Sequence, residues 1–438
     1  MDLTLIVVLV ISLALFFDFT NGFHDTANAM ATPIATGAIT PKKAVLLAAI
    51  LNLVGAFLST EVAKTISGGI INEDAATGVS ITPDMIFAGL MGAVIWNVLT
   101  WLLGLPSSSS HALFGGLVGA AIVGAGFGAV DYGVLLSKVL LPALCAPVIA
   151  GVSAYLCTKL AYSITRRQSG SSPKRGGFRY GQIFSSSLVA LAHGTNDAQK
   201  TMGVITLTLV ASGLQEANTG PHMWVIASCA LAIALGTYTG GWRIIRTMGS
   251  GLTDVKPAQG FSAEVSTASA ILASSHLGFA LSTTQVASGS VIGSGLGRKG
   301  AEVRWGTAGR IALGWLFTLP AAAIVGGVAA ALAHLGTIGV VAVAVLGVGV
   351  LVVFWVLSRR EVVGHENAMS DIDNSGAAVN ILSKKERRKR ERAARKAAEK
   401  EQKAAKQAKQ PAAVSSETSG ETESGTDSTQ GTEKGQKK

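Results

Sequence analysis

Charge is what this chain has least of. Asp, Glu, Lys and Arg make up 14% of its 438 residues, against 49% hydrophobic, and the mean hydropathy is +0.45. That scarcity excludes a domain surrounded by water, where about 25% of residues are charged, and it fits a chain that crosses a bilayer repeatedly. The net charge of +10 does not alter this reading. Lys and Arg outnumber Asp and Glu by 18 to 13 in residues 1–357, and by 18 to 13 again in 358–438. Half of the basic residues therefore lie in the tail, and no nucleic-acid footprint is present. Cysteine is scarcer still. Cys145, Cys157 and Cys229 lie in apolar runs without CxxC spacing, which excludes a disulfide framework and leaves three small hydrophobes. The N-terminus lacks a basic region, Asp2 being its only early charge, and no A-x-A site follows. Residues 3–19 are accordingly expected to be a retained span and not a signal peptide. Without a GxSxG elbow, a Walker loop or a zinc-ligand spacing, neither catalysis nor a structural metal has a footing. The chain is expected to be no enzyme and to need no cofactor.

Against this background, ionisable residues inside apolar runs carry weight. GFHDTANAMAT (22–32) closes a run that begins at Leu3, and GTNDAQKTMGV (194–204) closes another. Gly22/Gly194, Asp25/Asp197 and Met30/Met202 match in register, 172 positions apart. Ionisable groups at membrane depth are costly and mark an ion or substrate path.

Spanning takes roughly 20 mostly apolar residues. By that measure the expected spans are 3–30, 43–60, 84–104, 133–163, 182–213, 222–241, 261–281, 305–333 and 336–357. Residues 61–83 read as a polar loop. Residues 164–180, with five basic residues and no acid, read as a cytoplasmic linker between two halves. Two pieces fit no span: PSSSSHALFGGLVGAAIVGAG (106–126) and LSTTQVASGSVIGSGLG (281–297). At an offset of 174, Ser108-Ser109-Ser110-His111 faces Ser282-Thr283-Thr284-Gln285, and Gly115 and Gly119 face Gly289 and Gly293.

Two motif pairs at nearly one offset imply an internal duplication. The division is 1–163 and 181–335 for the repeats, 164–180 for the linker, 336–357 for an added helix and 358–438 for a charged, largely disordered tail. Paired, Gly-interrupted apolar segments in matching places of two halves point to a transporter's binding site. The expected fold is an all-α polytopic membrane protein, an inverted repeat with two re-entrant helical hairpins and roughly 9 to 12 membrane segments. An inverted repeat needs an odd number of crossings per half, and the first half offers four. Residues 133–163 are long enough to hide a second short pass, with Pro142 and Pro147 permitting a break. The side on which the tail emerges stays open. Within the tail, 383–409 could be helical and 411–438 is expected to be disordered; the basic part could rest on anionic lipid.

The hydroxyl clusters suggest an oxyanion. Helix N-termini offer free N–H groups and partial positive charge to phosphate or sulfate, and Ser108, Ser109, Ser110, Ser282, Thr283 and Thr284 add hydroxyl donors; packing in lipid is the competing use of such residues. Asp25 and Asp197 suit coupling ions: a carboxylate in a dry site can carry a proton, or hold Na⁺ with help from Asn28, Asn196 and Gln199. Lys200 is either a partner of Asp197 or a substrate contact. His24, beside Asp25, could relay protons; His111, His193 and His276 lie nearby, where a lone membrane histidine is usually structural.

These motifs, with GGWRIIRTMGSGLTDVKPAQGFSAE (240–264), resemble the PiT family of inorganic phosphate transporters across 1–357. The resemblance implies secondary transport of phosphate, driven by H⁺ or Na⁺. It places Ser108 to Ser110 and Ser282 to Gln285 on phosphate. Asp25, Asn28, Asp197 and Gln199 build the coupling centre, and Glu264 is a further functional carboxylate. Many members carry Asn where this chain has His24. The first copy looks like the bacterial low-affinity, proton-coupled branch, whose substrate is often a neutral metal–phosphate complex. The expectation is therefore a multi-pass symporter of inorganic phosphate in the cell membrane, coupled to H⁺ in preference to Na⁺, with membrane lipid around it and a homodimer conceivable. Sodium-coupled phosphate or sulfate symport is the alternative, and a receptor or scaffold signalling through its tail a distant one. The segment 242–256, with Trp242, Arg243, Arg246 and Lys256, reads independently as a basic amphipathic stretch at the membrane surface.

Overall fold

The computed structural model describes residues 2–69, 81–167, 175–217, 219–360 and 363–364. Residues 70–80 of the polar loop, 168–174 of the linker, and almost all of the tail, including 383–409 and 411–438, lie outside the described residues. The first half holds α1 (Leu3–Ala35), α2 (Pro41–Gly55), α3 (Glu61–Gly69), α4 (Pro83–Leu102), α5 (Ser109–Ala125), α6 (Tyr132–Val134) and α7 (Leu141–Arg167). The second holds α8 (Arg175–Ala211), α9 (Met223–Thr239), α10 (Trp242–Ser250), α11 (Pro257–His276), α12 (Thr283–Gly297) and α13 (Trp305–Ala333), followed by α14 (Thr337–Ser358). All nine predicted spans fall on helices. No strand occurs among the described residues, where β pairing is confined to one bridge, Thr253 to Val303.

The distribution of polarity is that of a membrane protein. Leu144, Ile149, Leu316, Ile324, Ile338 and Val345 lie exposed on α7, α13 and α14. The interior instead takes Asp25, His193, Asp197, Lys200 and the hydroxyl motifs. Five helical stretches are long and apolar enough to cross a bilayer: Leu3–Ala35, Pro83–Leu102, Tyr132–Ile164, Trp305–Ala333 and Thr337–Ser358. Helices α9 and α10, bent by 69° at Gly240–Gly241, could form a sixth. The 15-residue α2 is too short to qualify; it packs on α8 and α9 while Leu46, Ile50 and Val54 on its other side stay exposed.

The second pass allowed for in 133–163 does not exist. Tyr132–Ile164 runs as one helical stretch, with a π-helical turn at Leu135–Leu140 just before Pro142. Such a turn absorbs the local disturbance of the i→i−4 ladder without breaking the helix. The 242–256 segment also differs from its expectation. Helix α10 is amphipathic, but Ile244, Ile245 and Met248 are buried in protein, against α1 and not against lipid. Its Arg243 donates to the carbonyls of Leu102 (3.3 Å) and Ser358 (2.9 Å), placing a cation where the C-termini of α4 and α14 leave carbonyls unpaired.

Both hydroxyl motifs lie in helical hairpins built the same way. Helix α4 ends in a turn at Gly104 (φ +65°), and α11 in a turn at Gly278 (φ +68°). Extended residues 105–108 and 279–282 then lead into α5 and α12. In each, the residue before the helix caps it: Ser108 Oγ accepts from His111 N (3.2 Å), and Ser282 Oγ from Gln285 N (3.4 Å). The matched glycines explain the close fit. Gly115 and Gly119 of α5 lie against the carbonyls of Leu319 and Ala323 on α13, while Gly289 and Gly293 of α12 lie against those of Pro147 and Gly151 on α7. A Cβ at any of the four would collide with backbone, so these GxxxG pairs set the helix spacing. The exchange recurs elsewhere: Gly22 of α1 packs on α9 at Ile233–Thr237, and Gly194 of α8 on α2 at Asn52. Each half supplies a packing partner to the other, and all described residues belong to one compact unit, Met1–Val379.

Candidate functional site

Helices α1 and α8 carry the motif pair into the interior. Asp25 is 1% exposed and Asp197 fully buried, so every lone pair on them needs a donor. For Asp25 those donors are hydroxyls from both hairpins and a histidine. Ser109 Oγ of α5 donates to Oδ2 (3.0 Å), Thr283 Oγ1 of α12 to Oδ2 (3.3 Å) and Thr284 Oγ1 to Oδ1 (3.1 Å). His24 Nδ1 lies 2.6 Å from Oδ1. Its Nε2 faces the hydroxyls of Ser107 (3.3 Å) and Thr100 (3.4 Å), which are themselves 2.7 Å apart. With Nδ1 holding the proton, Nε2 accepts from this hydroxyl pair.

Asp197 is held differently. Lys200, one turn on, forms an ion pair with its Oδ1, and Asn196 Nδ2 donates to the same oxygen (2.8 Å). On the other side His193 Nε2 lies 2.8 Å from Oδ2, where Thr283 Oγ1 also donates (3.0 Å). Thr283 thus links the two aspartates. Asn28 completes the bridge, its amide donating to Thr283 Oγ1 (3.3 Å) and Thr284 Oγ1 (3.1 Å). The Leu281 carbonyl, in the extended strand-like lead into α12, gathers donors from Ser110, Asn196 and Lys200, each at 3.1 Å.

Most of the predicted site residues are therefore brought together: Asp25, His24, Asn28, Asn196, Asp197, Lys200, Ser109, Ser110, Thr283 and Thr284. Ser108 and Ser282 stand next to them with their oxygens engaged as helix caps. Gln285 is buried, and its Oε1 has no partner among the described residues. Two residues stand apart. Gln199 accepts from the backbone N–H groups of Val62 (2.8 Å) and Ala63 (3.3 Å), capping α3. Glu264 is reached by Thr32 of α1 (2.6 Å), Gln182 (3.1 Å) and Ser185, two turns of α1 beyond Asp25.

Sequence reasoning undervalued His193. Its i,i+4 placement before Asp197 on one helix was the available signal. With Asp25 and Asp197 it forms a trio whose ligand atoms all lie within 4.8 Å of one another, a donor set able to hold a cation. Ser107, Thr100 and the Leu281 carbonyl were also missed; only the fold brings them in.

The arrangement has a chemical consequence. The hydroxyls of Ser109, Thr283 and Thr284, at the starts of α5 and α12, converge on Asp25, and Thr283 also reaches Asp197. An anion binding to those donors meets Asp25, which among the described residues has no lysine or arginine paired with it as Asp197 has Lys200, and such a pair at about 4 Å costs about 4 kcal/mol at an effective dielectric near 20.

The chain matches the model of the phosphate transporter family over residues 21–326. It is 53% identical over 376 residues to the probable low-affinity inorganic phosphate transporter of Mycobacterium tuberculosis (strain ATCC 25618 / H37Rv), covering 85% of this chain and 88% of that one. It is 41% identical over 333 residues to the protein of the same description in Bacillus subtilis (strain 168), covering 75% and 98%. Among solved structures it is similar to the sodium-dependent phosphate transporter, with a TM-score of 0.67 at 23% identity over 76% of this chain and 99% of that chain, a likeness of fold. The matched segment takes in both aspartate motifs and both hydroxyl hairpins, and the chain belongs to the phosphate transporter family, a family of multi-pass membrane carriers and not of enzymes.

Proposed function

We propose that this chain is a secondary active symporter that moves inorganic phosphate together with protons, through an inverted repeat whose two hairpins are re-entrant. The observation that carries the reading is the set of hydroxyl donors from both hairpins resting on Asp25. Phosphate needs those donors, and Asp25 holds them. Protonation of Asp25, with His24 as the adjacent relay, removes the charge that repels the anion and releases Ser109, Thr283 and Thr284 to turn to it. A neutral carboxyl then donates a hydrogen bond to phosphate. Asp197, already neutralised by Lys200, accepts a hydrogen bond from the protonated form of phosphate that sulfate cannot offer. Exchange of helix partners between the halves supports the repeat, since two copies that complete each other give one site with two mirrored hairpins.

The trio of Asp25, His193 and Asp197 favours a second reading, in which a cation enters with the anion, either Na⁺ or the metal of a neutral metal–phosphate complex. The two are separated by labelled-phosphate uptake into proteoliposomes under an imposed ΔpH or an imposed Na⁺ gradient, with and without Mg²⁺. Proton symport predicts uptake driven by ΔpH in sodium-free buffer. Uptake driven by Na⁺ alone overturns the proton reading, and uptake indifferent to both gradients overturns symport.

A further inference from the structure

Helix α1 carries two polar residues more than the site described uses. Asp18, Asn21, Asp25, Asn28 and Thr32 recur at spacings of three and four residues, which places all five on one face of the helix. Asp25 and Asn28 meet the hydroxyls, and Thr32 reaches Glu264. The other end of the stripe has no such engagement. Asp18 is fully buried, and neither carboxyl oxygen has a hydrogen-bond partner among the described residues; nor does either polar atom of the Asn21 side chain, equally buried.

An ionised carboxylate cannot be left in that state. Removing it from water costs several kcal/mol unless charge and hydrogen bonds compensate. The groups that face Asp18 supply neither. From α8 come the Thr201 hydroxyl, near but outside hydrogen-bond geometry, then Asp197, His193 and Lys200; from α9 comes Cys229. Lys200 is already paired with Asp197 and the Leu281 carbonyl. His193 is already against Asp197 and 3.9 Å from Asp25. Helix α4, which packs against α1, has no ionisable side chain among its buried residues. Three carboxylates thus share one fixed cation in this part of the core, and Asp18 is the one left over.

We propose that Asp18 is a proton-binding carboxyl of the transport cycle, a site separate from the Asp25–Asp197 centre and about 10 Å from Asp25 along α1. It rests on the proton-coupled reading above. A neutral Asp18 acid satisfies the solvation argument, donating one hydrogen bond to the Asn21 or Thr201 oxygen and accepting another. Release of that proton leaves a charge only Lys200 or a protonated histidine can balance, so the proton on Asp18 is linked to the charge state of the Asp197 and Asp25 centre. Asp18 and Glu264 then stand at opposite ends of one polar stripe, with the phosphate donors between them.

The test uses the full chain in proteoliposomes, comparing wild type with Asp18→Asn, which mimics the neutral acid. Labelled-phosphate exchange at equal pH on both sides should stay within about twofold, while ΔpH-driven uptake should fall by about tenfold or more. The infrared carbonyl band of a protonated carboxylic acid at neutral pH should lose intensity in the variant. Coupled uptake retained in Asp18→Asn, or an unchanged acid band, overturns the proposal. Asp18→Glu guards against a folding defect: it keeps the acid and should keep ΔpH-driven uptake, so an exchange-competent Asp18→Glu protein without coupling also overturns it. Wild-type uptake that ignores ΔpH defeats the underlying proton reading as well, whereas coupled wild type with a coupled Asp18→Asn defeats this proposal alone.

Discussion

Asp25 on α1 and Asp197 on α8 occupy matching places in the two halves, yet their surroundings differ in kind. Asp25 is held by three hydroxyls and an imidazole and, among the described residues, by no lysine or arginine. Asp197 is tied to a fixed cation on its own helix. Three sequence differences bear on this directly: Asn21 against His193, His24 against Asn196, and Asn28 against Lys200. The hairpins differ in the same sense. The first is steadied from outside the site, by Trp315 Nε1 donating to the Pro106 carbonyl (3.0 Å) and Thr247 Oγ1 to Gly104 O (2.8 Å). The second is steadied from within it, by donors converging on the Leu281 carbonyl. The second half pins its carboxylate with a cation, and on the proton-coupled reading proposed above the first leaves its own free to act as a switchable acid.

The largest effect should come from removing either carboxylate. Asp25→Asn and Asp197→Asn each strip a charge that organises several buried donors, and gradient-driven uptake should drop by roughly 100-fold or more. The comparison predicts a contrast between them in folding. Asp197→Asn leaves the buried Lys200 cation without its partner, a loss of about 3–5 kcal/mol, whereas Asp25→Asn leaves only hydroxyls and a histidine to rearrange. Thermal unfolding of the detergent-purified proteins should show Asp197→Asn melting well below Asp25→Asn. Adding Lys200→Met to Asp197→Asn should restore most of the melting temperature without restoring transport. Equal melting of the two single variants would break the distinction between switchable and pinned.

Much of this centre was legible in the sequence because its signals are repeated. The 172-residue match of Gly22-x-x-Asp25 with Gly194-x-x-Asp197, and the hydroxyl clusters at an offset of 174, single out residues that the fold does bring together. The hairpins were legible because 106–126 and 281–297 each open with a run of hydroxyl residues and continue as a Gly-punctuated apolar segment that fits no span. What stayed hidden has physical reasons. The cross-packing of α5 on α13 and α12 on α7 depends on glycines meeting backbone far along the chain, and a sequence shows each glycine but not its partner. A π-turn leaves no composition of its own, so 133–163 looked breakable at its prolines. Asp18 sits in the same apolar run as Asp25 and repeats nothing in the second half, where Ala190 stands at the matching position, so a search by repetition passes over it.

His24 is where the two copies differ next to the aspartate, and His24→Asn gives the first motif the Asn-Asp pair of the second. The Asn can still donate to Asp25, so phosphate binding should persist. The link from Asp25 to Ser107 and Thr100 is lost, and with it the ring that would relay a proton and an ordinary hydrogen bond worth about 0.5–1.5 kcal/mol. Uptake driven by ΔpH should therefore fall by about tenfold or somewhat more, with phosphate exchange changed far less. A variant that keeps full ΔpH-driven uptake would show that the histidine is not what distinguishes the halves.

The smallest effect should come from the hydroxyls, and it tests whether the two hairpins contribute alike. Ser109→Ala removes a donor that touches Asp25 alone, whereas Thr283→Ala removes one that touches both Asp25 and Asp197 and also accepts from Asn28. Neither substitution leaves a buried charge unpaired, since the carboxylates retain other donors. Each should raise the KM for phosphate by roughly two- to tenfold, the scale of one ordinary hydrogen bond, with Thr283→Ala at the upper end. Ser109→Ala with Thr283→Ala in one chain should exceed the product of the single effects if both hydroxyls grip the same anion, because neighbours sharing a partner are coupled. A purely multiplicative result would mean that the hairpins contribute independently, and an unchanged KM in the double variant would return both hydroxyls to a packing role.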